Sequence, residues 1–259
     1  MNNQFVDYRL EHRIGYITID RAEKRNALNA QVVQELKLAF SKAEQDIACK
    51  VIILQSTGNV FSAGADLEYL QNLQSYSRDE NIEDSQGLMD LFKMIYQLKK
   101  VVIASIQGHA IAGGCGLASV CDLSIASSEA KFGYSEVKIG FIPAIVSVFL
   151  IRKIGMGRSK ELLLTGQTIN ANQAVEMGLI NKSVPFEELN DYVQNFAQTL
   201  CQSTSSQSLS STKNLLNKIQ EISLDDGLTL AVQENAIARE SDDCKKGIHA
   251  FLNKETLNW

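Results

Sequence analysis

The chain has 259 residues, of which 45% are hydrophobic, so it can bury the core of one large domain or two small ones. Charged residues make up 21% and the formal net charge is -5. Such a composition excludes a disordered or fibrous protein, and its acidity argues against a broad nucleic-acid-binding surface, because phosphate binding needs clustered Lys and Arg.

Cysteine and histidine usage indicates a reducing compartment and no metal site. The five cysteines are odd in number and scattered, without a Cys-x-x-Cys pair, which favours reduced thiols and a cytoplasmic location. The three histidines lie far apart in the chain, so we expect no metal and no redox cofactor. No signal-like stretch opens the chain and no apolar run reaches the ~18 residues of a membrane span, so no membrane association is expected.

Strand-like and helix-like segments alternate in the first half. Asn29 is expected to open the first helix, whose apolar face includes Leu38, and a polar, mobile loop is predicted over 76–86. Strands are predicted at 13–20, 51–55 and 101–106, and helices at 29–42 and 85–98.

The second half repeats the alternation once and then becomes helical. A strand is predicted at 123–126 and a helix after Pro143. Further helices are predicted at 171–177, 186–200, 209–220 and 225–238. The order indicates an α/β protein, with a strand-containing core over 1–200 and a helical region over 201–259.

Two loops of small residues stand between a strand and a helix. The first is 61–66, Phe-Ser-Ala-Gly-Ala-Asp, and the second is 108–116, Gly-His-Ala-Ile-Ala-Gly-Gly-Cys-Gly. Small side chains let a ligand approach the backbone, and amides at a helix start suit a negative oxygen. Taken alone, each loop is more simply explained as a tight turn, since glycine is common wherever backbone geometry is tight. The second lacks a Gly-x-Gly-x-x-Gly pattern, since Ser119 stands at the third position.

In their order and spacing, four segments resemble the crotonase, or enoyl-coenzyme A (CoA) hydratase/isomerase, superfamily. They are residues 21–28, 61–66, 108–116 and 132–136. The resemblance covers nearly the whole chain and implies a spiral of ββα units, with a helical C-terminal region that forms trimers or stacked trimers. It implies an acyl-CoA thioester substrate, with CoA as part of that substrate.

The resemblance also implies roles for individual residues. The amides of Ala65 and Gly113 form the oxyanion hole, and Glu136 is the acid/base. Asp66 is expected to cap its helix and so fix the Ala65 amide. The other residues implied to lie against the substrate or CoA are Lys24, Ala27, Ala63, Gly64, Asp66, Leu67, Gly114, Gly116 and Lys254, the last from a neighbouring subunit.

Glu136 fits the chemistry that such a site requires. Removing a proton α to a thioester places charge on the carbonyl oxygen, which two N–H donors can stabilise, and one carboxylate can move protons at the neighbouring carbons. We expect burial against Phe132, Tyr134 and Ile139 to raise its pKa. From the local sequence alone, Glu136 could be a solvated residue at a helix start.

Gly116 departs from the family pattern, which places a second glutamate there to hold the attacking water. Three explanations compete. The protein could be a one-glutamate isomerase that moves a double bond from the 3- to the 2-position. Alternatively, Gly116 could open room for a branched or carboxylated acyl group, which we favour because residues 136–147 resemble methylglutaconyl-CoA hydratases. The third explanation is a non-catalytic thioester binder.

Overall fold

The structure, a computed structural model, describes residues 4–259 except for the side chain of Leu67. Over this range the strands are β1 (Val6–Glu11), β2 (Ile14–Ile19), β3 (Val51–Ser56), β4 (Val60–Ser62), β5 (Val101–Ile106), β6 (His109–Ile111), β7 (Leu123–Ser127), β8 (Lys131–Gly133), β9 (Thr168–Asn170) and β10 (Lys182–Val184). The helices are α1 (Ala30–Gln45), α2 (Leu67–Leu73), α3 (Arg78–Gln97), α4 (Gly113–Val120), α5 (Ala144–Thr165), α6 (Ala171–Glu176), α7 (Leu189–Ser203), α8 (Ser206–Ile219), α9 (Leu224–Glu240) and α10 (Asp242–Asn253).

Successive strands enter two different sheets. The larger sheet has the order β1-β2-β3-β5-β7-β10, and the smaller has the order β4-β6-β8-β9. Each turn of chain therefore adds one strand to the large sheet, one short strand to the small sheet and then a helix: β3-β4-α2, β5-β6-α4, and β7-β8-α5. Pairing between the turns is parallel. This confirms the predicted α/β class and the spiral of ββα units.

The large sheet is covered on both faces, as expected for parallel strands. Alternate residues of β3 point to opposite sides. Ile52 and Leu54 join the core that contains α1, α3 and α4, whereas Val51 and Ile53 pack with α7. The loops at the carboxyl ends of these strands are thus held by rigid elements.

Two sequence predictions are wrong around α1 and α3. Residues 78–86 are helical, not a loop, because Ser77 and Glu80 form a capping box that starts α3 at Arg78. Leu38 is 61% exposed and does not belong to the buried face of α1. Asn29 caps α1 as predicted, accepting a hydrogen bond from the Val32 amide at 2.9 Å.

The chain ends in helices α8, α9 and α10, so the helical C-terminal region is present, and the domain boundary at residue 200 stays a prediction. The 17-residue helix α9 buries none of its side chains within this chain. Across residues 4–259, no helix is both long enough and apolar enough to cross a membrane.

Candidate active site

The first loop follows β4 and presents the Ala65 amide. The Leu28 amide donates to Gly64 O at 2.6 Å, and the Asp66 amide donates to Leu28 O at 3.0 Å. In this parallel bridge the residue between the two bonds turns its own N–H away from Leu28. Within the described chain, the Ala65 amide donates to no protein acceptor, so it is free to bind a ligand oxygen.

A buried ion pair fixes this loop. Arg21 Nη2 lies 2.7 Å from Asp66 Oδ2, and Arg21 Nη1 donates to Ala27 O at 3.0 Å. Asp66 Oδ1 also accepts a hydrogen bond from the Glu68 amide, which caps α2 as predicted. Burial alone would raise the pKa of Asp66, but the hydrogen bonds from Arg21 and Glu68 and the charge of Arg21 lower it below its ordinary value.

These contacts involve two of the residues predicted to lie against the substrate or CoA, Asp66 and Ala27. Asp66 is 4% exposed, and its side chain pairs with Arg21 and caps α2, so it fixes the segment that carries the Ala65 amide. Ala27 is 5% exposed and its carbonyl is occupied by Arg21. Both residues therefore help to hold the loop in place, and we call such residues frame residues.

We predict that Asp66→Asn lowers the free energy of unfolding by about 3 kcal/mol, because it leaves the buried Arg21 charge without its partner. Replacing both partners with apolar residues, Arg21→Met with Asp66→Leu, should cost much less. Urea unfolding of the single and double variants measures this. Equal losses in both would mean that the ion pair is not the source of the effect.

The same pair gives a pH dependence. Since the folded pKa of Asp66 is lowered, its contribution to stability is present above the unfolded value of about 3.8 and is lost as pH falls through the folded pKa. The Asn variant should therefore lose less stability than wild type on acidification.

Asn26 is a further frame residue that the sequence did not single out. It is fully buried, and its side-chain amide donates to Thr57 O and Val60 O, both at 2.7 Å, while its oxygen accepts from the Arg21 amide at 3.0 Å. Its φ of 52° is in the left-handed region, which asparagine adopts more readily than most residues. Asn26 lies in segment 21–28, one of the four segments that resemble the family, and this position was the only sequence feature that could have pointed to its role.

The second loop presents the Gly113 amide. Gly113 begins α4, so its N–H has no acceptor within that helix. It follows Ala112, whose φ of 50° and ψ of -125° are strained for an alanine. The Ala112 amide donates to Gly133 O at 2.8 Å, which holds the loop to the end of β8.

The two loops touch each other. A Cβ added to Gly64 would lie 2.9 Å from Ala112 Cβ and 3.5 Å from the Gly113 nitrogen, and the φ of Gly64 is +89°. A Cβ on Gly114 would lie 2.4 Å from Ser62 O. Glycine is therefore required at both positions for the Ala65 and Gly113 segments to come together.

Glu136 starts the 3₁₀ turn Glu136–Ile139, three residues after β8 ends beside Ala112. Its Oε2 is buried and has no hydrogen-bond partner in the described chain. Desolvation raises the pKa of Glu136, and a hydrogen bond from its own backbone opposes this in part. The predicted rise is confirmed, but Ile139 is 70% exposed and so does not bury the carboxyl group, whereas Phe132 and Tyr134 are fully buried.

Gly116 does not open room in the site. A Cβ at this position would lie 2.3 Å from Val146 Cγ1 and 2.9 Å from Phe92 Cε2. The volume that a longer side chain would need is already filled by α5 and α3, so the expected space for a branched acyl group at Gly116 is absent. Instead, an apolar wall stands where the family pattern has a second carboxylate.

The remaining predicted contact residues differ in accessibility. Lys24 is exposed on the 3₁₀ turn Ala22–Lys24, and Ala63 is half-buried with its amide bonded to Arg25 O at 3.0 Å. The side chain of Leu67 lies outside the described part of the structure. Lys254 is exposed at the end of α10, which packs on α9. In residues 4–259, no group of three or more His, Cys, Asp or Glu side chains could hold a metal ion.

Comparison with known proteins agrees with this geometry. The family model "Enoyl-CoA hydratase/isomerase" matches residues 9–259. The chain belongs to the enoyl-CoA hydratase/isomerase family. It is therefore an enzyme of this family. At the level of the family, the activity is enoyl-CoA hydration and the substrate is an acyl-CoA thioester.

Several relatives carry more detailed names. The chain is 34% identical to a crotonyl-CoA hydratase of Syntrophomonas wolfei, over 96% of this chain and 95% of that protein. It is 30% identical to a short-chain-enoyl-CoA hydratase of Clostridium acetobutylicum, over 99% and 97%. The solved structure of an enoyl-CoA hydratase from Shewanella pealeana superposes with a TM-score of 0.93 at 28% identity, covering 98% of this chain and 96% of that one.

Proposed function

We propose that this family member catalyses the reversible hydration of a 2-enoyl-CoA, with Glu136 as the acid/base and the Ala65 and Gly113 amides as the oxyanion hole. The observation that carries the proposal is the buried, unpartnered carboxylate oxygen of Glu136 next to two loops whose ligand-facing amides are unpaired. A buried carboxyl group with a raised pKa is suited to proton transfer near neutral pH.

The proposed reaction balances with one carboxylate. Glu136 takes a proton from water as the water oxygen bonds to C3 of the enoyl thioester. The C2–C3 π electrons move to the thioester carbonyl, and the resulting enolate oxygen is held by the two amides. The protonated Glu136 then delivers the proton to C2, which restores the carbonyl, so one water is added and no cofactor is consumed.

For the acyl group we propose a branched, methylglutaconyl-like chain. The support is the resemblance of residues 136–147 to hydratases of that type. Because Val146 and Phe92 close the space at Gly116, any branch must lie elsewhere in the pocket.

The apolar wall at Gly116 also favours a second candidate, a 3-enoyl to 2-enoyl isomerase. Isomerisation moves one proton from C2 to C4 and needs no water, so a single glutamate suffices. We do not propose the non-catalytic binder, because the chain belongs to a family of enzymes.

A substrate panel tests these proposals. Wild-type protein is assayed for hydration of 3-methylglutaconyl-CoA and crotonyl-CoA and for isomerisation of a 3-enoyl-CoA. Faster turnover of the branched substrate supports the methylglutaconyl-like proposal. Turnover of the 3-enoyl-CoA alone would replace the hydratase with the isomerase, and no turnover of any of the three would reject both.

We also propose that the C-terminal helices assemble the enzyme into trimers, or into two stacked trimers, in the cytoplasm. Leu224, Leu228 and Val232 recur every four residues on one side of α9, and each is more than half exposed in the single chain. Apolar helix faces of this size normally lie in protein contacts.

Val232→Glu is therefore expected to convert the assembly into monomers, because it places a charge in that apolar face. Light scattering after gel filtration measures the mass. The matched control is Gln233→Glu, which adds the same charge at the neighbouring exposed position. An unchanged mass for Val232→Glu would remove α9 from the proposed interface.

A further inference from the structure

Lys153 of α5 binds the end of α4 opposite the oxyanion loop. Its Nζ donates to Ser119 O and to Cys121 O, both at 2.9 Å. These carbonyls lie at the C-terminal end of α4, where no N–H group of the helix is available to donate to them. The lysine thus completes the hydrogen bonding of the short helix whose first amide is that of Gly113.

The contacts of Ser119 link this end to the rest of the site. Ser119 Oγ donates to Gly116 O at 2.9 Å, and it accepts a hydrogen bond from Tyr134 OH at 3.3 Å. Tyr134 is fully buried two residues before Glu136. Lys153 therefore holds the residue through which α4 and the Glu136 segment are joined.

The charge of Lys153 also adds to the field of α4. A helix carries partial positive charge at its N-terminus and partial negative charge at its C-terminus, and a cation at the C-terminus offsets the latter. The eight residues of α4 span only about 12 Å, so the Gly113 end lies within range of this cation. Burial lowers the pKa of Lys153, and its Nζ is part-buried against the two carbonyls.

The nearby acid, Asp122, has an ion-pair partner of its own. Asp122 is paired with Lys213, whose Nζ lies 2.7 Å from Asp122 Oδ2, and the same oxygen accepts the Val102 amide. Asp122 still attracts the Lys153 charge through space, but the hydrogen bonds of Lys153 Nζ go to the two α4 carbonyls.

We infer that Lys153 is a positioning residue for the oxyanion hole, which fixes the C-terminal end of α4 and strengthens the positive field at the Gly113 amide. The inference rests on the proposed role of Gly113. Lys153 contacts the C-terminal end of α4, so its effect on the Gly113 amide is transmitted through that helix.

The test separates this role from the proposed function and from simple folding. Butyryl-CoA labelled with ¹³C at the thioester carbonyl cannot be hydrated, and its infrared C=O band moves to lower frequency when the carbonyl is polarised. The band is recorded with wild type, Lys153→Met, Lys153→Gln and Lys153→Arg, together with kcat and thermal midpoints. Lys160→Met, an exposed lysine beyond the break at Gly155 in α5, is the control.

We expect the wild-type shift to be retained in Lys153→Arg and Lys160→Met and to be reduced in Lys153→Gln, which keeps a hydrogen-bond donor but lacks the charge. The kcat should fall about tenfold in Lys153→Gln, with little change in KM. No shift in wild type would overturn the oxyanion hole itself. If Lys153→Gln shows the same band shift and the same kcat as wild type, the role of Lys153 is overturned while the oxyanion hole is not. This comparison does not depend on whether Lys153→Met folds.

Discussion

Glu136→Gln is expected to reduce kcat on the natural acyl-CoA by about 10³-fold, within the range lost when a general acid/base is removed. The amide has nearly the same volume as the carboxyl group but cannot exchange the proton. Binding of a non-reacting acyl-CoA should be unchanged, because the oxyanion amides belong to other segments. Steady-state kinetics and calorimetric titration measure the two effects separately.

The pKa of Glu136 gives this variant an internal check. Desolvation raises the folded pKa, so the carboxyl group stabilises the folded protein at low pH and this contribution is lost as pH rises through the folded pKa. At pH 7 the neutral Gln avoids the cost of burying a carboxylate, and Glu136→Gln should be at least as stable as wild type. An inactive but destabilised variant would contradict the assignment.

The pH profile of wild type follows from the same shift. If the carboxylate form accepts the proton from water, activity should fall as pH decreases through a pKa above the ordinary value of 4.5. Glu129→Gln, at an exposed site, is the control and should leave both rate and profile unchanged.

A second carboxylate at position 116 should improve crotonyl-CoA hydration only if the apolar wall is opened. Gly116→Glu alone brings its Cβ within 2.3 Å of Val146 Cγ1, and such overpacking costs about 1–3 kcal/mol. Combining it with Val146→Ala removes that methyl group, and the Phe92 ring, whose Cε2 lies 2.9 Å from the added Cβ, then has to shift to admit the new side chain. We expect the double variant to hydrate crotonyl-CoA about 10²-fold faster than wild type.

Val146→Ala alone is the matched control for this comparison, since it opens the wall without adding an acid. If it gives the same increase, pocket volume and not a second carboxylate limits the reaction. If wild type already matches the double variant, one glutamate is enough to hold the water, and the wall at Gly116 carries no cost for hydration.

The sequence predicted the elements whose signals are local. The strands β3 and β5 were predicted because they are continuous apolar runs, and the two loops because their small residues lie between a strand and a helix. The short strands β4, β6 and β8 were not predicted, because three residues carry no periodicity and each pairs with a strand from another turn.

The site was predicted in part for a similar reason. Glu136, Ala65 and Gly113 lie in motifs that a single sequence displays. The wall at Gly116 depends on Val146 and Phe92, which are distant in the chain. The structural role of the Asp66 side chain depends on its ion pair with Arg21, 45 residues earlier. Such contacts between remote segments follow from the fold and are not visible in residue order.

The links that build the site all join neighbouring turns of the spiral. Leu28 binds Gly64, Gly64 packs on Ala112, and Ala112 binds Gly133. During synthesis each new turn therefore emerges next to a partner that is already available, and short closures of this kind cost less chain entropy than distant ones. The order in which the pocket assembles can thus follow the order of translation, with the C-terminal helices added last to a pocket whose backbone is already in place.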